Sequence, residues 1–166
     1  MDLVEAAATA DALAREPGNE RELATLRAQW DDELEAAARS ADYRVRGHAF
    51  RAIGQFRFRQ KLELLRRGLE DESAAARGSA LIALTSLSTD HPGDVNGYRP
   101  ALNELAARDP NLAVRRLAIV CLRNGPPDRG TIQLLESLAQ DDDTDRDVRE
   151  AARAVAGVLE KKARAK

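Results

Sequence analysis

Apolar residues recur along this chain at helical spacing, and one arrangement of them appears four times. In DPNLAVRRLAIVCL, Asp109 to Leu122, Val114, Ala118, Cys121 and Leu122 fall at i, i+4, i+7 and i+8, one face of an α-helix. The segments SADYRVRGHAFRAI, DESAAARGSALIAL and DTDRDVREAARAVA overlay it without a gap. They yield the matching sets Val45, Ala49, Ala52, Ile53, then Ala76, Ala80, Ala83, Leu84, then Val148, Ala152, Val155, Ala156. Each set follows a residue that caps helices well, Asp42, Ser73, Asn111 or Asp145, whose side chain accepts a first-turn N–H. One arginine stands inside every copy, at 46, 77, 115 and 149, with spacings of 31, 38 and 34 residues. A period in this range is the signature of stacked helical hairpins.

A second amphipathic pattern precedes each block. It carries Leu23, Leu26, Trp30 and Leu34 ahead of the first and Leu62, Leu65 and Leu69 ahead of the second, and RPALNELAAR and RGTIQLLESLAQ continue it. Every unit is thus expected to be a pair of helices joined by a short turn. An additional helix, DLVEAAATADALARE, should end at Pro17-Gly18, where proline removes a donor and glycine favours a turn. The resulting expectation is a single all-α domain over 1–166. It comprises a capping helix at 1–18, repeats at 19–57, 58–87, 98–124 and 128–160, and a basic tail at 161–166. The connection from Ser88 to Tyr98 accounts for the longest spacing.

The block D-x-D-x-x-V-R-x-x-A-x-x-A-L behind a leucine-rich helix resembles the HEAT repeat, especially the short bacterial type named after phycobilisome lyases. DPNLAVRRLAIVCL and DTDRDVREAARAVA match it well; DESAAARGSALIAL has alanine for valine, and SADYRVRGHAFRAI has Ser40 at the first acidic slot. The resemblance implies a right-handed α-solenoid of about four HEAT-like hairpins with an extra N-terminal helix. It also implies a ladder between neighbouring repeats, formed here by Asp71, Asp109 and Asp143 with Arg46, Arg77, Arg115 and Arg149. A half-buried arginine suits that place because its planar fork can donate to carboxylates and helix-end carbonyls together.

Composition agrees with helices that approach closely: 43% of the 166 residues are hydrophobic but only 4% aromatic, so small side chains dominate the core. Charge nearly cancels, at −2 overall, yet it is segregated. Residues 1–40 hold ten acids and four bases, and residues 41–67 hold eight bases and two acids. Such blocks are expected to be exposed helical faces more often than steering fields. No apolar run approaches the roughly 20 residues that span a bilayer, the N-terminus lacks a basic leader pattern, and there is one cysteine. A cytoplasmic location without membrane attachment is expected. Arginine far outnumbers lysine, which fits a GC-rich bacterial source.

Candidate chemistry is sparse. Two histidines, His48 and His91, cannot assemble a zinc or di-iron site, and Cys121 replaces the small core residue of its repeat. The string DDDTDRD, Asp141 to Asp147, departs from a calcium loop at Arg146 and Ala152, where glycine and glutamate belong. No glycine-rich phosphate loop occurs. Neither an enzyme nor a cofactor is expected, and no metal.

The expected function is a protein-binding adaptor, scaffold or accessory subunit for a protein or peptide partner. The alternatives are nucleic-acid binding through the basic segment Arg44–Lys61, whose arginines interleave with Tyr43, Phe50, Phe56 and Phe58, Phe56 in particular being expected on the core face, and a lyase-like accessory subunit. At 100° per residue, Gly47, Arg51 and Gly54 oppose the core face of the first block, and the same slots later hold Gly78, Ile82, Thr85, then Arg116, Val120, Arg123. Arg51, Ile82, Val120 and Arg123 are therefore the expected partner-binding strip on a concave face, with Phe50, Leu81 and Ile119 beside them and read first as packing between adjacent second helices.

Overall fold

A computed structural model describes residues 1–165. It is helical, with α1 Leu3–Ala14, α2 Glu20–Ala38, α3 Tyr43–Gln55, α4 Leu62–Leu69, α5 Ala74–Asp90, α6 Arg99–Arg108, α7 Leu112–Leu122, α8 Arg129–Gln140 and α9 Arg146–Arg164. Short 3-10 turns lie at Arg59–Lys61 and Pro92–Tyr98, and no strand occurs among the described residues. The chain divides into two compact units, Met1–Leu87 and the residues from Ser88 onward.

Helix starts follow from capping chemistry. Asp42, Asn111 and Asp145 accept N–H groups from the first turns of α3, α7 and α9, and the Ser73 hydroxyl accepts from Ala76 N–H in α5. Asp2 and Glu5 form a reciprocal capping box on α1. That helix ends in a turn containing Gly18, whose φ of 93° lies in the left-handed region.

In the first unit α1 packs on both α2 and α3, and α4 lies against α3. The end of α3 is a Schellman motif: Phe58 N–H donates to Ile53 O and Arg57 N–H to Gly54 O. Its left-handed position is filled by Arg57, at φ 51°, where glycine is usual. The Arg57 guanidinium offsets that strain by donating to the carbonyls of Gly54 and Gln55 and to Asp11 of α1. Helices α3 and α5 meet through glycine: a Cβ on Gly54 would lie 2.8 Å from Ala83 Cα, and one on Gly47 would lie 3.3 Å from Ser79 Oγ.

The second unit consists of the hairpins α6–α7 and α8–α9, with the two first helices adjacent and the two second helices adjacent. The segment expected as a plain connection is ordered: α5 runs to Asp90, Pro92–Tyr98 forms the 3-10 turn, and Val95 and Tyr98 are buried. Val95 fills the space beside Gly125, where a Cβ would stand 2.7 Å from its Cγ1. The expected basic tail is largely the last turn of α9; Lys166 lies outside the described residues.

The four repeated apolar sets form the core, with Val45 as the exception at 37% exposure.

Candidate protein-interaction surfaces

Of the residues expected to form a ladder, Arg46 and Asp71 make a complete arginine–aspartate rung within the first unit. Arg46 donates through Nε and Nη2 to both oxygens of Asp71, each at 2.8 Å, while its Nη1 reaches the Ser40 and Ala41 carbonyls. Asp71 also accepts Ser73 N–H. The Arg46 guanidinium foremost, with that N–H, holds the Asp71 carboxyl below its ordinary range against the opposing effect of burial. Arg77 donates to the Asp71 carbonyl. Asp109 is buried and closes its own turn by accepting Asn111 N–H.

The ladder fails at Asp143. Arg115 donates to Ala106 O instead, and Asp143 is exposed. The cause is a longer turn: Asp141, not Asp143, accepts the N–H two residues on and also the Thr144 hydroxyl. These bonds set the turn two residues earlier relative to the Asp145 cap and leave Asp143 outside. Arg149 correspondingly reaches only the exposed Asp142, at 3.4 Å.

The segregated charges of the first unit lock onto each other. Lys61 bridges Asp31 and Glu35, Arg57 meets Asp11, and Arg27 meets Glu20. Burial lowers the affinity of Lys61 for its proton, but hydrogen bonds to Asp31 and Glu35 outweigh it and raise Lys61 above the usual lysine range. Cations read as one basic patch thus serve as ties between helices. Phe56 is buried as expected of a core-facing residue, Phe50 and Phe58 are buried with it, and Tyr43 is the exposed aromatic of the segment.

The expected strip separates by burial. Phe50, Leu81 and Ile119 are inside, because their angle turns them into neighbouring helices; Phe50, for one, lies against Gly68 of α4. They offer no surface to a partner. Gly47, Gly54 and Gly78 are also buried, the first two by the close approach of α5. Arg51 is exposed and Ile82 half-buried in the first unit.

In the second unit Val120, at 40% exposure, lies between Arg116 and Arg123 on α7, with Leu112 at 47% two turns earlier. Leu112 was not singled out in the sequence, although its i−8 spacing from Val120 was available. The C-terminal end of α7 is held by Lys162, which donates to the Arg123 and Gly125 carbonyls. Burial first, and then the Arg123 charge, pulls Lys162 below the usual lysine range.

Among the described residues no group of three His, Cys, Asp or Glu side chains gathers as a metal site requires, and no helix is long and apolar enough to cross a membrane. The architecture is that of helical-hairpin repeats. Residues 32–97 match the family model for HEAT repeats. No curated protein matches the chain. HEAT repeats are generally protein-interaction modules.

Proposed function

We propose that the chain is a non-enzymatic interaction module, an adaptor, scaffold or accessory subunit, that binds a protein or peptide through the outward face of α7. The observation that carries this reading is the strip Leu112, Arg116, Val120, Arg123. It presents two large apolar side chains at i and i+8, flanked by arginines, on a helix whose opposite face is core. Apolar anchors rimmed by arginine are the composition of binding hot spots. The test is selection of binding peptides from a display library, followed by affinity measurement against Val120→Asp and against Val4→Asp on exposed α1. Loss on the first alone supports the reading; equal affinity for both variants overturns it.

Nucleic acid is the weaker reading. Of the cations in Arg44–Lys61, Arg46, Arg57 and Lys61 are engaged with carboxylates, and of the aromatics only Tyr43 is exposed.

A further inference from the structure

A dent of about 240 Å³ opens between α3 and α5, lined by Tyr43, Arg44, Gly47, His48, Ala75 and Ser79. It exists because Gly47 has no side chain: a Cβ there would reach 3.3 Å from Ser79 Oγ and occupy the floor. Cofactor and drug-sized pockets start at about 300 Å³, so this volume suits a single amino-acid side chain. Its walls are chemically one-sided. Tyr43, 45% exposed, supplies an apolar flank, and the Arg44 guanidinium is held 5.7 Å from its ring centroid.

The cations beside the dent differ from those that tie the unit together. Arg46, Arg57 and Lys61, the cations that the fold uses, each meet a carboxylate. Arg44 and His48, both exposed, meet none among the described residues, and neither does Arg51 one turn further along the same face of α3. We infer that this dent receives a glutamate or aspartate side chain from an acidic segment of a protein partner. Arg44 and His48 engage its carboxylate, the Ser79 hydroxyl donates from the floor, and Tyr43 packs on the partner's neighbouring backbone and methylenes. The shape selects one carboxylate side chain, and the unpaired arginines, Arg44 and Arg51, select its sign.

This assignment rests on the protein-binding reading, but it concerns α3 and α5, whereas that reading is tested on α7. Failure here with Val120-dependent peptide binding intact removes the dent alone.

The test uses the full chain, fluorescein-labelled hexaglutamate, and anisotropy in roughly 0.1 M salt, where exposed charges beyond about 10 Å are screened. Saturable binding of hexaglutamate and not hexaglutamine is expected. Arg44→Glu should weaken it about tenfold or more, the scale of a lost charge-assisted contact. Ser79→Leu should weaken it comparably with no change of charge, and Arg67→Glu on α4 should leave it within about twofold. Circular dichroism verifies folding; His48→Glu, at an exposed position, replaces Ser79→Leu if that variant does not fold. The inference is overturned by absence of saturable binding, by an equal effect of Arg67→Glu, by normal binding to folded Ser79→Leu, or by tighter Arg44-dependent binding of an oligothymidylate.

Discussion

Gly54 and Ala83 meet at their backbones: a Cβ on Gly54 would stand 2.8 Å from Ala83 Cα and 3.3 Å from its carbonyl oxygen. No flexible side chain can yield there, so the two second helices of the first unit are as close as helices can come. Gly157 in α9 has nothing within 4 Å of the corresponding position. The same substitution should therefore have opposite signs. Gly157→Ala should stabilise by about 0.5–1 kcal/mol through helix propensity, and Gly54→Ala should destabilise by roughly 1–3 kcal/mol through overpacking. Urea unfolding of both variants decides it; a stabilised Gly54→Ala would mean that α3 and α5 separate at little cost.

Asp71 binds three donors, two on Arg46 and one on Ser73. Asp71→Ala strands a half-buried guanidinium and a helix-start N–H together, at a cost of roughly 2–3 kcal/mol. Arg115→Ala releases only a carbonyl, Ala106 O, and should cost about 1 kcal/mol. The Asp71 effect depends on pH in a definite direction. Because its folded-state pKa is depressed, its stabilisation is complete above the unfolded value, about 3.9, and disappears as pH falls through the lower folded value. The gap between wild type and Asp71→Ala should thus hold from neutrality to about pH 4 and close below it. A gap that is unchanged in stronger acid would place the stabilisation elsewhere.

Glu136 of α8, which faces Glu160 of α9, shows the reverse linkage. Their mutual hydrogen bond, then burial, then charge repulsion raise the Glu136 carboxyl above its ordinary range. The folded state consequently binds this proton more tightly than the unfolded state, and stability falls as pH rises from the unfolded pKa through the folded one. Glu136→Gln removes the repulsion. Its melting temperature should exceed wild type at pH 7 and equal it near pH 4; the same difference at both values would exclude a shared proton as the cause.

The caps and the core were readable from residue type and period alone. Asp42, Ser73, Asn111 and Asp145 needed only a short acceptor before an apolar helix, and Ala49 or Leu84 needed only the 3.6-residue period. The pairing of Arg46 with Asp71 came from family resemblance, and the two side chains meet at 2.8 Å. Helical angle separated core from non-core but could not distinguish solvent from a neighbouring helix. That is why Gly47 and Gly54 were expected on an open face and are instead the contact with α5, and why Phe50, Leu81 and Ile119 were placed beside a surface strip. The displacement of Asp143 by Asp141 depends on which carboxylate closes the turn, and three consecutive aspartates give a pattern no means of choosing. Arg57 is invisible in the same way: nothing in its identity announces a left-handed backbone, and the carbonyls and carboxylate that hold it there come from separate helices.

Val120 and Ile119 are adjacent in sequence and opposite in environment, one 40% exposed and the other fully buried. That contrast supplies an internal control for the proposed binding face. Val120→Asp exchanges an exposed apolar group for a carboxylate between Arg116 and Arg123, so the fold should tolerate it within about 0.5 kcal/mol, as for surface substitutions generally. Ile119→Asp places an unpaired charge in the core and should unfold the protein or cost several kcal/mol, about 4 or more. Loss of partner affinity in Val120→Asp with an unchanged melting curve would then report on the surface alone. Leu112→Asp, two turns away on the same stripe, should weaken the same partner. Should Val120→Asp melt like Ile119→Asp, the valine is a packing residue and α7 is not the docking helix; should it bind like wild type, the partner uses another face.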